Sequence, residues 1–247
     1  MSKPIEVSAD RWTAWQYSNP QELASGVAER FLSAVEGGAG RRSVALSGGR
    51  ITEVVYRELV SKSESRKVAW EELDFFWADE RCVPLEDAAS NFRLAQDLLF
   101  GPLGVKDSQK FPFAGGKEPA LMSQEGQAMI RQYFGGGDSE VPVFDFAFLG
   151  MGEDGHIASL FPENRDSDLN RTEPCYDVIA SKPPPNRITL SYPVFRQARE
   201  VWLIVSGAGK APVLRDALQG KGHTPLKELL SMRTNTRILT DLSLDGL

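Results

Sequence analysis

At 247 residues the chain is long enough to bury a sizeable core and lies near the upper end of what one α/β domain uses, so a single domain over 1–247 is the simplest organisation. An apolar share of 41%, a charged share of 25% and 22 glycines with 15 prolines describe a turn-rich soluble protein and argue against long disorder. The formal net charge of −6 speaks against a general nucleic-acid binder, so an anionic ligand must be held by a local cluster of cations. Cys82 and Cys175 lack C-x-x-C spacing and need not pair, which fits a reducing compartment. No basic start with an apolar run follows Met1, and no run approaches bilayer length, so the expected location is the cytoplasm, away from membranes.

In chain order, residues 11–17 read as a short edge strand. Residues 20–36 read as a helix, with Pro20 in its first turn, Leu23, Val27, Phe31 and Val35 at helical spacing, and Gly37-Gly38 ending it. SVAL at 43–46 is a short apolar strand followed at once by Ser47, Gly48, Gly49 and Arg50 and then a helical segment through Val54, Val55 and Leu59. Strand, glycine turn and helix start together make an anion site, with backbone N–H groups and the helix dipole aimed at the ligand. A plain strand-to-helix connection would use the same residues.

LDFFWA at 73–78 is a second buried-strand candidate, and it too ends in a polar cluster, Asp79, Glu80 and Arg81, before Cys82. Such a run is usually a solvated loop, yet Arg81 between acids and apolar residues is suited to gripping a phosphate or carboxylate with both arms of its guanidinium. Ser90-Asn91 reads as a helix cap, residues 101–116 as a long connection, 119–134 as a helix and 135–137 as the loop back to the next strand.

The stretch FDFAFLGMGEDGHIASLFP at 144–162 organises the rest. It opens as an almost unbroken apolar run, as a strand buried on both faces does, and continues into glycines 150, 152 and 155 interleaved with Glu153, Asp154 and His156. The glycines satisfy G-x-G-x-x-G, but two carboxylates inside that turn would repel a pyrophosphate, which disfavours a dinucleotide site. A histidine that merely packs or caps is the plain alternative. The third reading makes Asp154 and His156 an acid/base pair, the carboxylate orienting the imidazole while its other nitrogen takes a proton from water.

Residues 176–181 and 187–190 read as strands around SKPPPNRITL, whose prolines hold Lys182 and Arg187 at a fixed separation fit for a dianion. VWLIV at 201–205 is a further strand, leading through Ser206, Gly207 and Lys210 into a helix ending near Gly220; Ala211 after the lysine breaks the P-loop pattern. Residues 236–239 give a last strand. Strands and helices thus alternate, with polar or glycine-rich turns after at least four strands. That pattern predicts an α/β fold built on an open, mostly parallel, doubly wound sheet flanked by helices.

Four motifs, ALSGGR at 45–50, ADERCVPLEDAASNFRLA at 78–95, FLGMGEDGHIASLFP at 148–162 and SKPPPNRITLSYPVF at 181–195, resemble in order and spacing the 6-phosphogluconolactonase family. The resemblance implies hydrolysis of 6-phospho-D-glucono-1,5-lactone in the pentose phosphate pathway, and the sheet shared with amino-sugar-phosphate deaminases and isomerases. It implies His156 as catalytic base with Asp154 as its partner. Ser47, Gly48, Gly49, Arg81, Lys182 and Arg187 match positions associated with the substrate's phosphate and hydroxyls. Arg50 stands where relatives commonly carry a small hydroxyl residue, so an extra cation is expected there. Amides of the glycine turn, Gly152 and Gly155 among them, are candidate oxyanion donors.

No cofactor or metal is called for. With only His156 and His223 present, a zinc site would have to rely mostly on carboxylates, and no G-x-S-x-G elbow is present. The expected partner is the small sugar-phosphate lactone, and a monomer is compatible with the sequence. Deaminases of this fold resemble GxDGHIAFNEP with an Asp-Glu-Tyr signature, against ASLFP and DERCVP here. A non-catalytic sugar-phosphate sensor would be expected to lack the base or to carry a further domain.

Overall fold

A computed structural model describes residues 3–37, 40–135, 137 and 140–246. The chain runs β1 (Ile5–Ala9), β2 (Trp12–Gln16), α1 (Pro20–Val35), β3 (Arg42–Leu46), α2 (Arg50–Ser63), β4 (Leu73–Trp77), β5 (Asp79–Arg81), α3 (Asn91–Ala95), α4 (Gly101–Leu103) and α5 (Pro119–Phe134). It continues with β6 (Phe146–Leu149), α6 (Arg165–Leu169), β7 (Cys175–Ile179), β8 (Asn186–Leu190), α7 (Tyr192–Gln197), β9 (Glu200–Val205), α8 (Ala211–Leu218), α9 (Pro225–Met232) and β10 (Thr236–Thr240).

Seven strands form one sheet in the order β1-β2-β10-β9-β6-β3-β4, parallel everywhere except between β1 and β2. The apolar runs read from sequence are its central strands, and β3, β4 and β6 are buried along nearly their whole length. Helix α1 starts where Asn19 Oδ1 accepts from Glu22 N–H at 2.9 Å and Pro20 occupies the first turn. Its apolar stripe then packs on the sheet, where Phe31 meets Phe146, Phe148 and Trp202 edge to face. Gly38 and Gly136, assigned to loops from sequence, lie outside the described residues.

The register is pinned at the strand feet. Buried Asp74 at the start of β4 accepts from Arg41 Nε at 2.7 Å and from the Tyr133 hydroxyl at 2.8 Å. Asp145, just before β6, accepts from Ser43 N–H at 2.8 Å. All of these contacts lie at the amino ends of the parallel strands, leaving the carboxyl ends to the loops that form the cavity.

Three expectations are corrected. Residues 11–17 are not an edge: β2 lies between β1 and β10, and β1, which the sequence reading omits, forms the rim. Asp79, Glu80 and Arg81 are not a loop but the strand β5, which with β8 and β7 makes a second, antiparallel sheet of three strands. The 101–116 connection contains α4 and a 3₁₀ turn at Asp107–Gln109. Cys82 and Cys175 are both free thiols. Among the described residues no helix is long and apolar enough to cross a membrane.

One Asp168 carboxylate oxygen and the Ser191 and Tyr192 hydroxyls are buried with no hydrogen-bond partner. Burial pushes the Asp168 carboxyl up to about 6, against the opposing pull of Tyr176 and Arg171. The folded chain therefore keeps this proton to higher pH than the unfolded chain does, so the group subtracts stability as pH rises from about 4 towards 6 and leaves a deficit at neutrality. Asp168→Asn is expected to raise Tm at pH 7.5 by about 2 to 4 °C, equivalent to about 1 kcal/mol in a chain of this size after solvent screening. Scanning calorimetry should find that gain shrinking towards pH 4; an equal gain at both pH values would place the effect elsewhere.

Candidate active site

The loops after β3, β4, β6 and β9 enclose a cavity of about 430 Å³. This volume lies within the ordinary range for small-molecule sites. Its first wall is the turn Ser47-Gly48-Gly49 leading into α2. Tyr56 Oη donates to Ser47 O at 3.1 Å and Thr52 Oγ1 to Gly48 O at 3.0 Å, which ties down the carbonyls of the turn. The start of α2 carries the positive end of the helix dipole, and of its first-turn amides that of Thr52 already donates to Gly49 O at 3.0 Å. Gly49 sits at φ 111°, where an L side chain is strained, and a Cβ on Gly48 would stand 2.0 Å from Asn91 Oδ1. Both glycines are therefore demanded by the backbone path and by Asn91.

The second wall is β5. Glu80 is buried and accepts from the N–H groups of Arg81 at 2.7 Å, Asn91 at 2.8 Å and Phe92 at 2.7 Å, and from Ser90 Oγ at 3.1 Å. Burial raises its carboxyl, and those three amides oppose the rise. The knot locks β5 to the start of α3, so that Asp79, Arg81 and Asn91 face the cavity together. Arg81 donates through Nη1 to Ala89 O at 2.6 Å, while its buried Nε has no acceptor. Asp79 accepts from Ser159 Oγ at 2.8 Å. Across from it Arg187 lines the cavity, held through Nε to Pro184 O at 3.0 Å.

The third wall carries the titratable pair. After β6 the chain folds into a tight turn, closed by a bridge between Met151 and Ile157, and no helix follows directly. Asp154 Oδ1 lies 2.6 Å from His156 Nδ1, and the imidazole rests on Phe161 with centroids 4.8 Å apart. His156 lines the cavity. Burial lowers the His156 pKa below the usual histidine value, with Asp154 opposing and Lys182 adding to the fall. For Asp154, burial works upward, but the Lys182 hydrogen bond and His156 outweigh it and bring the carboxyl down to about 2. At neutral pH the pair is thus a carboxylate beside a neutral imidazole, with Nδ1–H donated to Asp154 and Nε2 left as a base.

Two placements depart from expectation. The amides of Gly152 and Gly155 are already spent, donating to His156 O at 2.9 Å and Gly152 O at 3.1 Å, so neither is free to hold an oxyanion. Gly152 is required for another reason, since a Cβ there would stand 2.1 Å from the His156 ring. Lys182 does not line the cavity; its Nζ is 2.7 Å from Asp154 Oδ2.

A family model described as glucosamine-6-phosphate isomerases/6-phosphogluconolactonase matches residues 18–238. The chain belongs to this family. It is similar to the 6-phosphogluconolactonase of Rattus norvegicus, 35% identical over 229 residues that cover 88% of this chain and 86% of the relative. It is also similar to that of Homo sapiens, 34% identical with 87% and 84% covered. Among solved structures, the 6-phosphogluconolactonase of Trypanosoma brucei superposes with a TM-score of 0.81 at 26% identity, covering 94% of this chain and 97% of that one. That of Leishmania guyanensis shares the fold, with a TM-score of 0.83 at 23% identity over 97% and 100%.

Within this family member, the cavity also holds groups that the sequence reading passed over. Lys210 lines it after β9, half-buried, its pKa lowered by burial and by Arg50 nearby. The sequence signal at this lysine is a P-loop-like spacing that Ala211 breaks. Asp79, Asn91 and Ser206 line the cavity too, and the signal for each was the same: a polar residue just past the end of a strand, or capping the helix beside it.

Proposed function

We propose that this protein hydrolyses 6-phospho-D-glucono-1,5-lactone to 6-phosphogluconate, with His156 as general base. The observation that carries the reading is the oriented Asp154–His156 pair opening on a cavity whose remaining walls present the amino end of α2 and the cations Arg50, Arg81, Arg187 and Lys210. Ser47, Gly48, Gly49 and Arg50 offer a phosphate the helix terminus, and the guanidiniums and Lys210 supply counter-charge that an overall acidic chain must concentrate locally. Asp79 is placed to accept from a sugar hydroxyl.

In the reaction so read, His156 Nε2 removes a proton from water as its oxygen adds to the lactone carbonyl. The tetrahedral intermediate then expels the ring oxygen, which takes the proton back from the imidazolium, leaving a carboxylic acid that ionises. Asp154 stabilises the transient imidazolium and keeps the tautomer. An activated ester needs no covalent intermediate for this. Two free thiols fit a cytoplasmic setting.

The test is proton release on adding freshly generated lactone, measured against its spontaneous hydrolysis, with glucosamine 6-phosphate and ammonia detection in parallel. Accelerated proton release without ammonia is expected. Ammonia release would move the chain to the isomerase branch of its family, and silence in both assays would overturn the enzymatic reading.

A further inference from the structure

Of the cations expected to hold substrate, Lys182 is the one whose ammonium pairs with Asp154. Its Nζ contacts Asp154 Oδ2 at 2.7 Å, while Asp154 Oδ1 contacts His156 Nδ1 at 2.6 Å. The three side chains therefore form a line, ammonium to carboxylate to imidazole, with only the imidazole on the cavity wall. Four other cations already line the remaining walls of the cavity, enough for a phosphate dianion without a fifth.

We propose that Lys182 is a positioning residue for the lactonase reaction, acting through Asp154 and not touching substrate: it occupies the carboxylate oxygen that His156 leaves free and so fixes the orientation and tautomer of the base. The proposal rests on the reading of His156 as general base. An exposed lysine–carboxylate pair is by itself worth little, because ordering two side chains costs about what the contact gains. Here most of that ordering is done by other contacts. Asp154 is held by the His156 ring and by His156 N–H at 3.3 Å. The backbone carrying Lys182 is braced from inside the cavity by Arg187, whose Nη2 donates to the carbonyls of Lys182 and Pro183 at 3.4 Å and whose Nε donates to that of Pro184 at 3.0 Å.

The electrostatic consequence has a definite sign. The groups facing His156 are Asp154 on its own turn, Lys182 from the β7–β8 loop and Asp79 from β5, with Arg50, Arg81, Arg187 and Lys210 on the other cavity walls. Removing Lys182 deletes a positive charge from this set and leaves Asp154 less restrained. The imidazolium becomes easier to form, and the acid limb of kcat/KM moves to higher pH. A substrate-binding lysine would behave differently, since its loss raises KM and the dissociation constant of inorganic phosphate and leaves the base where it was.

The test uses the full chain as Lys182→Met and Lys182→Arg, with kcat and KM across pH and the titration of the His156 ring followed by NMR. The chain has two histidines, so His223→Gln assigns the signals. For Lys182→Met the expected result is a kcat at pH 7 lower by about tenfold, a KM within about twofold, and a His156 titration midpoint higher by about half a pH unit, with most of each change reversed in Lys182→Arg. An unmoved His156 midpoint overturns the proposal, as does a KM raised more than about fivefold at unchanged kcat. The NMR reading does not depend on turnover. A chain inert towards lactone whose His156 midpoint still moves would sink the proposed substrate and leave the Lys182–Asp154–His156 coupling standing.

Discussion

His156→Ala is expected to lower kcat for lactone hydrolysis about a thousandfold, in the middle of the range for a positioned general base and equivalent to about 4 kcal/mol of barrier. KM should stay within about twofold, because the groups read as phosphate ligands lie on other walls: the turn before α2, Arg81 on β5, Arg187 on β8 and Lys210 after β9. The wild-type pH profile tests the same assignment. A base works only unprotonated, and burial lowers the His156 pKa below its ordinary value despite Asp154 beside it. The acid limb of kcat/KM should therefore fall below the pH at which a solvated histidine titrates, about 6.5, and the limb should vanish in the alanine variant. Residual hydrolysis must be corrected for the spontaneous reaction of the lactone. Near-normal turnover in the variant would falsify the assignment of His156.

The parts of this architecture that were legible in the sequence are those where burial leaves a continuous mark. The runs at 43–46, 73–78, 144–151 and 201–205 became β3, β4, β6 and β9, because a parallel strand covered on both faces has no polar side to interrupt the run. Each is followed by polar or glycine residues that line the cavity, which is why Ser47, Gly48, Gly49, Arg50, Arg81 and His156 could be named in advance. The parts that were not legible lack such a mark. β1 is exposed along most of its length, so nothing in its pattern separates it from a terminal loop. β5 is three residues of charge, and it is a strand because Glu80 is buried against the amides of α3 and because β8 pairs with it, both long-range facts. Lys182 and Lys210 exchange their expected standing for a related reason. A lysine's reach makes its target depend on which loop lies opposite, and only the folded chain shows that Asp154 intercepts the first while the second turns into the cavity.

Gly152→Ala should be the most damaging substitution outside the pair itself, because the side chains of the pair occupy the space a Cβ would need. The added atom would stand 2.1 Å from His156 Cε1 and Nδ1 and 2.5 Å from Asp154 Oδ1, where ordinary contact begins near 3.4 Å. Ring and carboxylate must both retreat by about 1 Å, a displacement at which reactions that depend on alignment lose about a hundredfold. The backbone itself presents no obstacle, since Gly152 is not among the glycines at positive φ, unlike Gly155 at 79°. Its N–H bond to His156 O also survives a methyl group. The variant should therefore fold and bind, with kcat lower by about two orders of magnitude, KM little changed and a Tm close to the parent's. The NMR titration of His156 supplies the check: with the 2.6 Å contact to Asp154 opened, the carboxylate no longer supports the imidazolium, and the midpoint should move down. That direction is opposite to the one expected for Lys182→Met. A Gly152→Ala enzyme with parental kcat and an unmoved His156 would mean that the turn can relax around a methyl group, and the tight packing inferred for this pair would be wrong.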